Sequence, residues 1–235
     1  MTKFVAAILD SKRNAAFLED FRGFHRDLAF SGMLNSLSQT LLKITTPGVP
    51  DFYQGSELWD LRLVDPDNRG TIDFARRIEC LRTIRQATSQ GDAGLVADLC
   101  RNWTDGRIKL YLVWKTLQLR HQLAGLFTNG EFVPAEVSGE RANNITAFFR
   151  IGKDGAALIV APKWLAASGL DSGENQHRAF WDKTVIRLTT GATRSWQNAF
   201  TGGAIHAEPN GSRATIDVAT ALGNFPVALL STNFS

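Results

Sequence analysis

Between Pro47 and Ile72 the chain carries its densest run of groups able to grip a polar ligand. Tyr53, Gln54, Glu57, Trp59 and Asp60 come first, then Asp65, Pro66, Asp67, Asn68 and Arg69. Aromatic rings beside acids, amides and an arginine suit a sugar. The apolar face of a pyranose stacks on Trp or Tyr, while its hydroxyls take bidentate partners such as Asp, Asn and Arg. The plainer reading is that Phe52 and Trp59 plug the loop to a core while the charges pair with one another. For Glu57 an ion pair with a nearby arginine, Arg62 for example, competes with sugar contact. Gly48 and Gly55 read as backbone positions that a Cβ would oppose.

Other candidate chemistry is weaker. Glu19 and Asp20 fall in the middle of a helical pattern and read as a solvated helix face. His25, His121, His177 and His206 show no metal-ligand spacing with each other or with Cys80 and Cys100, so neither a metal nor a cofactor is expected. The two cysteines lie in helical patterns and read as buried structural thiols, which favours a reducing, cytoplasmic setting. Trp164, Trp181 and Trp196 offer either a glucan platform or sheet packing, and packing is the favoured reading. Gly202-Gly203 lacks the strand–helix context of a phosphate loop.

Phe17, Leu18, Phe21, Phe24 and Leu28 recur at helical spacing, Gly32 interrupts, and Leu34, Leu37 and Leu41 start a second helix. Lys43 to Thr46 reads as a short strand, stopped by Pro47, Gly48 and Pro50. The loop 47–72 is long enough to suggest a functional role. Helix resumes after Asp73, a natural N-cap, and again over about 92–102 and from about 105. Around Gly130 the period changes from 3.6 towards 2. Segments 144–151, 156–161, 183–189, 213–219 and 226–231 read as strands, and 165–179 as an exposed loop.

The bulk composition is permissive. The 235 residues are 44% hydrophobic and 21% charged, enough to bury a core in one large or two small domains. No apolar run approaches the roughly 18 residues of a membrane span, and no signal peptide is read at the N-terminus. The net charge is +3. Its basic cluster, Arg76, Arg77, Arg82 and Arg85, reads as a solvated helix face rather than a nucleic-acid footprint, so neither nucleic acid nor membrane is an expected partner.

The run TPGVPDFYQGSELW resembles the segment that leaves the eighth barrel strand in the α-amylase superfamily (glycoside hydrolase family 13). Pro47, Gly48, Pro50, Tyr53, Gly55 and Glu57 match its pattern. The fuller run through YQGSELWDLRLVDPDNRG, with WTDGRIKLYL at Trp103 to Leu112, is similar to maltooligosyltrehalose synthases in particular. The match is strong over 32–75, fair over 100–127 and weak beyond.

That resemblance implies an α+β chain: the C-terminal remnant of a (β/α)8 barrel over 1–129, with its last strand, long loop and several helices, then an antiparallel β-sandwich over 130–235. It implies an enzyme that turns the reducing-end α-1,4 linkage of a maltooligosaccharide into an α,α-1,1 linkage. The superfamily's aspartate nucleophile, glutamate acid/base and second aspartate sit on strands four, five and seven. Nothing in 1–40 resembles the strand-seven motif, so no catalytic residue is expected in this chain. Tyr53, Gln54, Trp59, Asp67, Asn68 and Arg69 are the expected lining of the reducing-end subsites. The implied partners are the maltooligosaccharide, the N-terminal part of a longer chain, and a second copy through exposed barrel surface. A non-catalytic α-glucan-binding or scaffolding module, and an unrelated helical domain fused to a β-sandwich, are the competing readings.

Overall fold

The computed structural model describes residues 1–62, 69–89, 91–153, 155–166, 176–188, 195–210 and 213–232. A short helix α1 (Thr2–Ile8) leads into α2 (Ala15–Thr45), 31 residues long. Gly32 does not break α2, contrary to the sequence reading. A helical glycine costs only about 1 kcal/mol relative to alanine. Burial of Phe30, Met33, Leu34, Leu37, Leu41 and Ile44 along the same face outweighs that cost. The first half of α2 is different. Leu18 is buried, but Phe17, Phe21, Phe24 and Leu28 stand exposed in one stripe.

The expected strand at Lys43–Thr46 is absent. Lys43, Ile44 and Thr45 form the last turn of α2, and Thr46 is its extended C-cap. Before Glu131 no described residue is in a strand, so a strand here would have no neighbour to satisfy its backbone, whereas a helix satisfies its own. Thr45 adds a hydroxyl bond to the Leu41 carbonyl at 2.7 Å.

After the loop come α3 (Phe74–Thr88), α4 (Asp92–Arg101), α5 (Arg107–Gln122) and α6 (Ala124–Asn129). The Asp73 carboxylate caps α3 as anticipated, accepting from the Arg76 amide at 2.8 Å. Strands then take over: β1 (Glu131–Pro134), β2 (Glu136–Ser138), β3 (Ile145–Gly152), β4 (Gly155–Pro162), β5 (Val185–Arg187), β6 (Ser195–Asn198), β7 (Ala204–His206), β8 (Glu208–Asn210), β9 (Arg213–Asp217) and β10 (Ala228–Ser231). Two small helices, α7 (Gln176–Phe180) and α8 (Val218–Leu222), lie among them. Every described pairing is antiparallel. One six-stranded sheet runs β1-β3-β4-β10-β6-β7, and one four-stranded sheet runs β2-β5-β9-β8. No helix among the described residues is long and apolar enough to cross a membrane.

Helices and sheets share one apolar core. α2 packs on both α5 and β4. The buried Tyr111 hydroxyl of α5 donates to the Phe200 carbonyl at 2.5 Å, and its ring tilts against Phe200 and Phe225. Arg150 of β3, 1% exposed, donates from Nη2 to the carbonyls of Leu126, Phe127 and Gly130, holding the end of α6 to the sheet.

Candidate functional site

The described part of the loop, residues 46–62 and 69–73, has no helix longer than a turn and no strand. It is fixed by side chains instead. Arg120 of α5 donates to the carbonyl of Ile44 at 2.5 Å and of Gly48 at 2.7 Å, pinning the exit from α2. Arg77 of α3 donates to the Gly55 carbonyl at 2.8 Å and to the Glu57 carboxylate at 3.0 Å. Arg62 holds Asp60 through two donors and reaches the Gln54 carbonyl at 3.3 Å. Glu57 is therefore in an ion pair, but with Arg77 rather than Arg62. Arg77, with 17% of its side chain exposed, belongs to the loop and not to the solvated basic face anticipated for it.

Backbone conformation explains two glycines. Gly55 sits at φ +92, where a Cβ would come within 2.8 Å of the Arg62 guanidinium and of Ile72. Gly106, at φ +85 before α5, lets that helix start against the Leu58–Trp59 backbone, 3.2 Å from where its Cβ would be.

Leu58 is buried and anchors the loop to the core. Trp59 is half-buried, and its indole N–H donates to the Trp103 carbonyl at 2.7 Å, which fixes the ring. Tyr53 is 51% exposed, and Gln54 and Arg69 are exposed as well. Of the expected sugar-contact residues, Tyr53, Gln54 and Trp59 thus lie on one braced stretch. Asp67 and Asn68 lie outside the described residues.

Two lysines that the sequence reading passed over meet this stretch. Lys43, in the last turn of α2, places its ammonium 3.9 Å from the centre of the Phe52 ring. Lys109, in the first turns of α5, places its own 5.7 Å from the centre of the Trp59 ring. Burial lowers the Lys109 pKa below the usual lysine range, with Lys43 adding to the effect and Asp60 and Glu57 opposing it. The Asp60 pKa is lowered, chiefly by the Arg62 hydrogen bonds. The missed signal was spacing: Lys109, Val113, Thr116 and Arg120 fall on one stripe of α5, with a cation at each end.

Elsewhere, among the described residues no cluster of His, Cys, Asp and Glu could hold a metal ion. Cys80 and Cys100 form no disulfide among the described residues, and both are half-buried rather than fully buried as read; the Cys100 thiol donates to the Asn224 carbonyl at 3.3 Å. Trp181 and Trp196 are 1% exposed and pack in the sheet region. Trp164 departs from that packing reading, 69% exposed at φ +55, with the Lys163 ammonium 4.3 Å from its ring centre.

Comparison with known proteins sets aside the reading as an unrelated helical domain. A Mycobacterium tuberculosis protein named as a maltooligosyl trehalose synthase is 31% identical over 206 residues, 80% of this chain and 22% of its own length. This chain is homologous to part of maltooligosyltrehalose synthase. The solved maltooligosyltrehalose synthase of Arthrobacter ramosus is 28% identical, with a TM-score of 0.68 over 97% of this chain and 25% of its own. A point mutant of that synthase gives 29% and 0.70 over 98% and 26%. No family model matches. The chain spans about a quarter of the length of these synthases.

Proposed function

We propose that this chain is the C-terminal part of a maltooligosyltrehalose synthase and supplies the loop that holds the reducing end of its substrate. The longer protein converts the terminal α-1,4 linkage of a maltooligosaccharide into an α,α-1,1 linkage by intramolecular transfer. In that reaction a carboxylate displaces the reducing-end glucose and forms a glycosyl-enzyme intermediate. The released glucose turns over in place and attacks through its anomeric hydroxyl, regenerating the carboxylate. The site must therefore grip a free glucose and exclude water while it does so.

The observation that carries this reading is the braced stretch Tyr53–Arg62, which offers aromatic surface and polar groups on a rigid frame. Tyr53 and Trp59 supply stacking surface, and Gln54, Asp67, Asn68 and Arg69 bind hydroxyls. The reacting carboxylates come from the rest of the longer protein. Glu57 and Asp60 are unsuited to that work, since each is held by an arginine, and a lowered pKa keeps Asp60 from acting as a general acid near neutral pH. Residues 1–129 form the edge of the catalytic barrel, and 130–235, with their two antiparallel sheets, the sandwich domain that backs it. The exposed stripe Phe17–Phe21–Phe24–Leu28 is where the remainder of the barrel packs. Two cysteines without a disulfide fit a cytoplasmic setting.

The test has two arms. Titration with maltopentaose, followed by tryptophan fluorescence and calorimetry, should show saturable binding, while prolonged incubation should leave the reducing end intact. Formation of a non-reducing product by the chain alone would overturn the placement of the carboxylates.

A further inference from the structure

Besides Arg120, four cationic side chains lie at the loop, and they divide into two kinds. Arg62 and Arg77 are each satisfied by a carboxylate, Asp60 and Glu57 respectively. Lys43 and Lys109 have no hydrogen bond or ion pair among the described residues; each lies only against an aromatic ring. The two carboxylates close enough to influence Lys109 are already taken by the arginines. Two ammoniums, with three donors each, are therefore left over around Phe52 and Trp59.

For Lys109, which is half-buried, this arrangement costs the fold stability; Lys43 is exposed. A partly buried ammonium loses hydration, and its neighbour Lys43 repels it. Ring contact returns little to Lys109, because 5.7 Å is near the outer limit of a cation–π interaction. A cation kept at a cost to folding, beside a ring locked by its own hydrogen bond to Trp103, has the character of a binding group. Both lysines are also placed by rigid elements: Lys43 by the last turn of the helix that launches the loop, Lys109 by the start of α5.

We propose that Lys43 and Lys109 are sugar-binding residues whose ammoniums donate to the hydroxyl oxygens of a glucose unit resting against Trp59. This rests on the loop being the substrate-facing surface, and it adds to that surface the two donors that set how the glucose is oriented. On binding, each ammonium exchanges water for a hydroxyl oxygen, and half-buried Lys109 gains an acceptor that the described residues do not give it. Arg120, on the same stripe of α5, holds the backbone of the loop and leaves the sugar to the lysines.

The experiment is acylation footprinting of the purified chain with an acetylating reagent, read by peptide mass spectrometry with and without maltopentaose. Lys43 and Lys109 should react more slowly with the sugar present, while the exposed Lys12 and Lys183 keep their rates. Lys109→Met should weaken maltopentaose binding on the order of tenfold, as loss of a charged donor predicts, and Lys109→Arg should restore part of it. The same Lys109→Met change should leave the melting temperature unchanged or raise it, because an unpaired cation has gone. A lower melting temperature with unchanged affinity would make Lys109 a packing residue and overturn the proposal. Saturable binding of maltopentaose with no protection of either lysine would overturn it too, and would leave the sugar-facing loop standing. Protection by inorganic phosphate but not by maltopentaose would make the pair an anion seat, against the proposal. Absence of any maltopentaose binding would sink both readings together.

Discussion

The loop that follows α2 and the two sheets use tryptophan in opposite ways. In the sheet region Trp181 and Trp196 are sealed from water, and neither indole N–H has a hydrogen-bond partner among the described residues. Their value to the molecule is volume and dispersion, bought by leaving a donor unsatisfied. In the loop Trp59 is half-buried against the core, its N–H is tied to Trp103, and the Lys109 ammonium lies 5.7 Å from its ring centre. Such a half-buried ring, with its donor satisfied and a lysine beside it, both plugs the loop to the core and leaves surface for a ligand. The sheets are therefore read as scaffold and the loop as working surface.

Mutations that separate stability from binding would sharpen or break this contrast. The largest effect is expected at Trp196. Replacing it with Ala should cost about 3–5 kcal/mol in denaturant unfolding, the range for emptying a large aromatic site, with maltopentaose affinity of the folded molecules unchanged. A loss of affinity without loss of stability would reverse the roles of the two regions. Arg120→Ala should come next, because it leaves the Ile44 carbonyl unpaired at a fully buried residue and frees the loop exit. A stability loss of about 1–3 kcal/mol is expected, together with weaker sugar binding. A change in stability alone would mean that the exit of the loop does not matter to the ligand.

Tyr53→Ala should do the reverse of Trp196→Ala: stability within about 0.5 kcal/mol of the parent, as for most surface changes, and clearly weaker binding by calorimetry. The smallest effect is electrostatic. Because the Asp60 pKa is lowered in the folded chain, its contribution is fully present above the unfolded carboxylate value and is lost as pH falls through the folded one. Loop amides should therefore lose protection at acid pH once the slower intrinsic exchange there is corrected for, and Asp60→Asn should remove that dependence; an Asn variant with the same acid response would assign it to other carboxylates.

Much of the architecture was legible in the residues. The cap at Asp73, the helices near 92–102 and 107–122, and the change of period near Gly130 follow from local chemistry, and the structure has them. Lys43–Thr46 misled because β-branched residues suit a strand, while the decision between helix and strand depended on whether a neighbouring strand existed, which is tertiary information. Phe17, Phe21 and Phe24 gave a helix correctly, but periodicity does not reveal whether a face is covered. At the candidate site, motif and composition pointed to Tyr53, Gln54 and Trp59, which the structure places on one stretch. They did not point to Lys43, Lys109, Arg77 or Arg120, which lie on helices flanking the loop and touch it only after folding. The partner of Glu57 was misassigned for the same reason: Arg62 is nearer in sequence, but Arg77, in the first turn of α3, donates to it at 3.0 Å.

Hydrogen–deuterium exchange of the chain with and without maltopentaose tests the central claim most directly, because it reads loop and sheets in one experiment. Peptides covering 43–62 and the start of α5 should gain protection on adding sugar, while those covering β6, β10 and the exposed Trp164 should not change. Protection centred on the sheets or on Trp164, with the loop unaffected, would contradict the account.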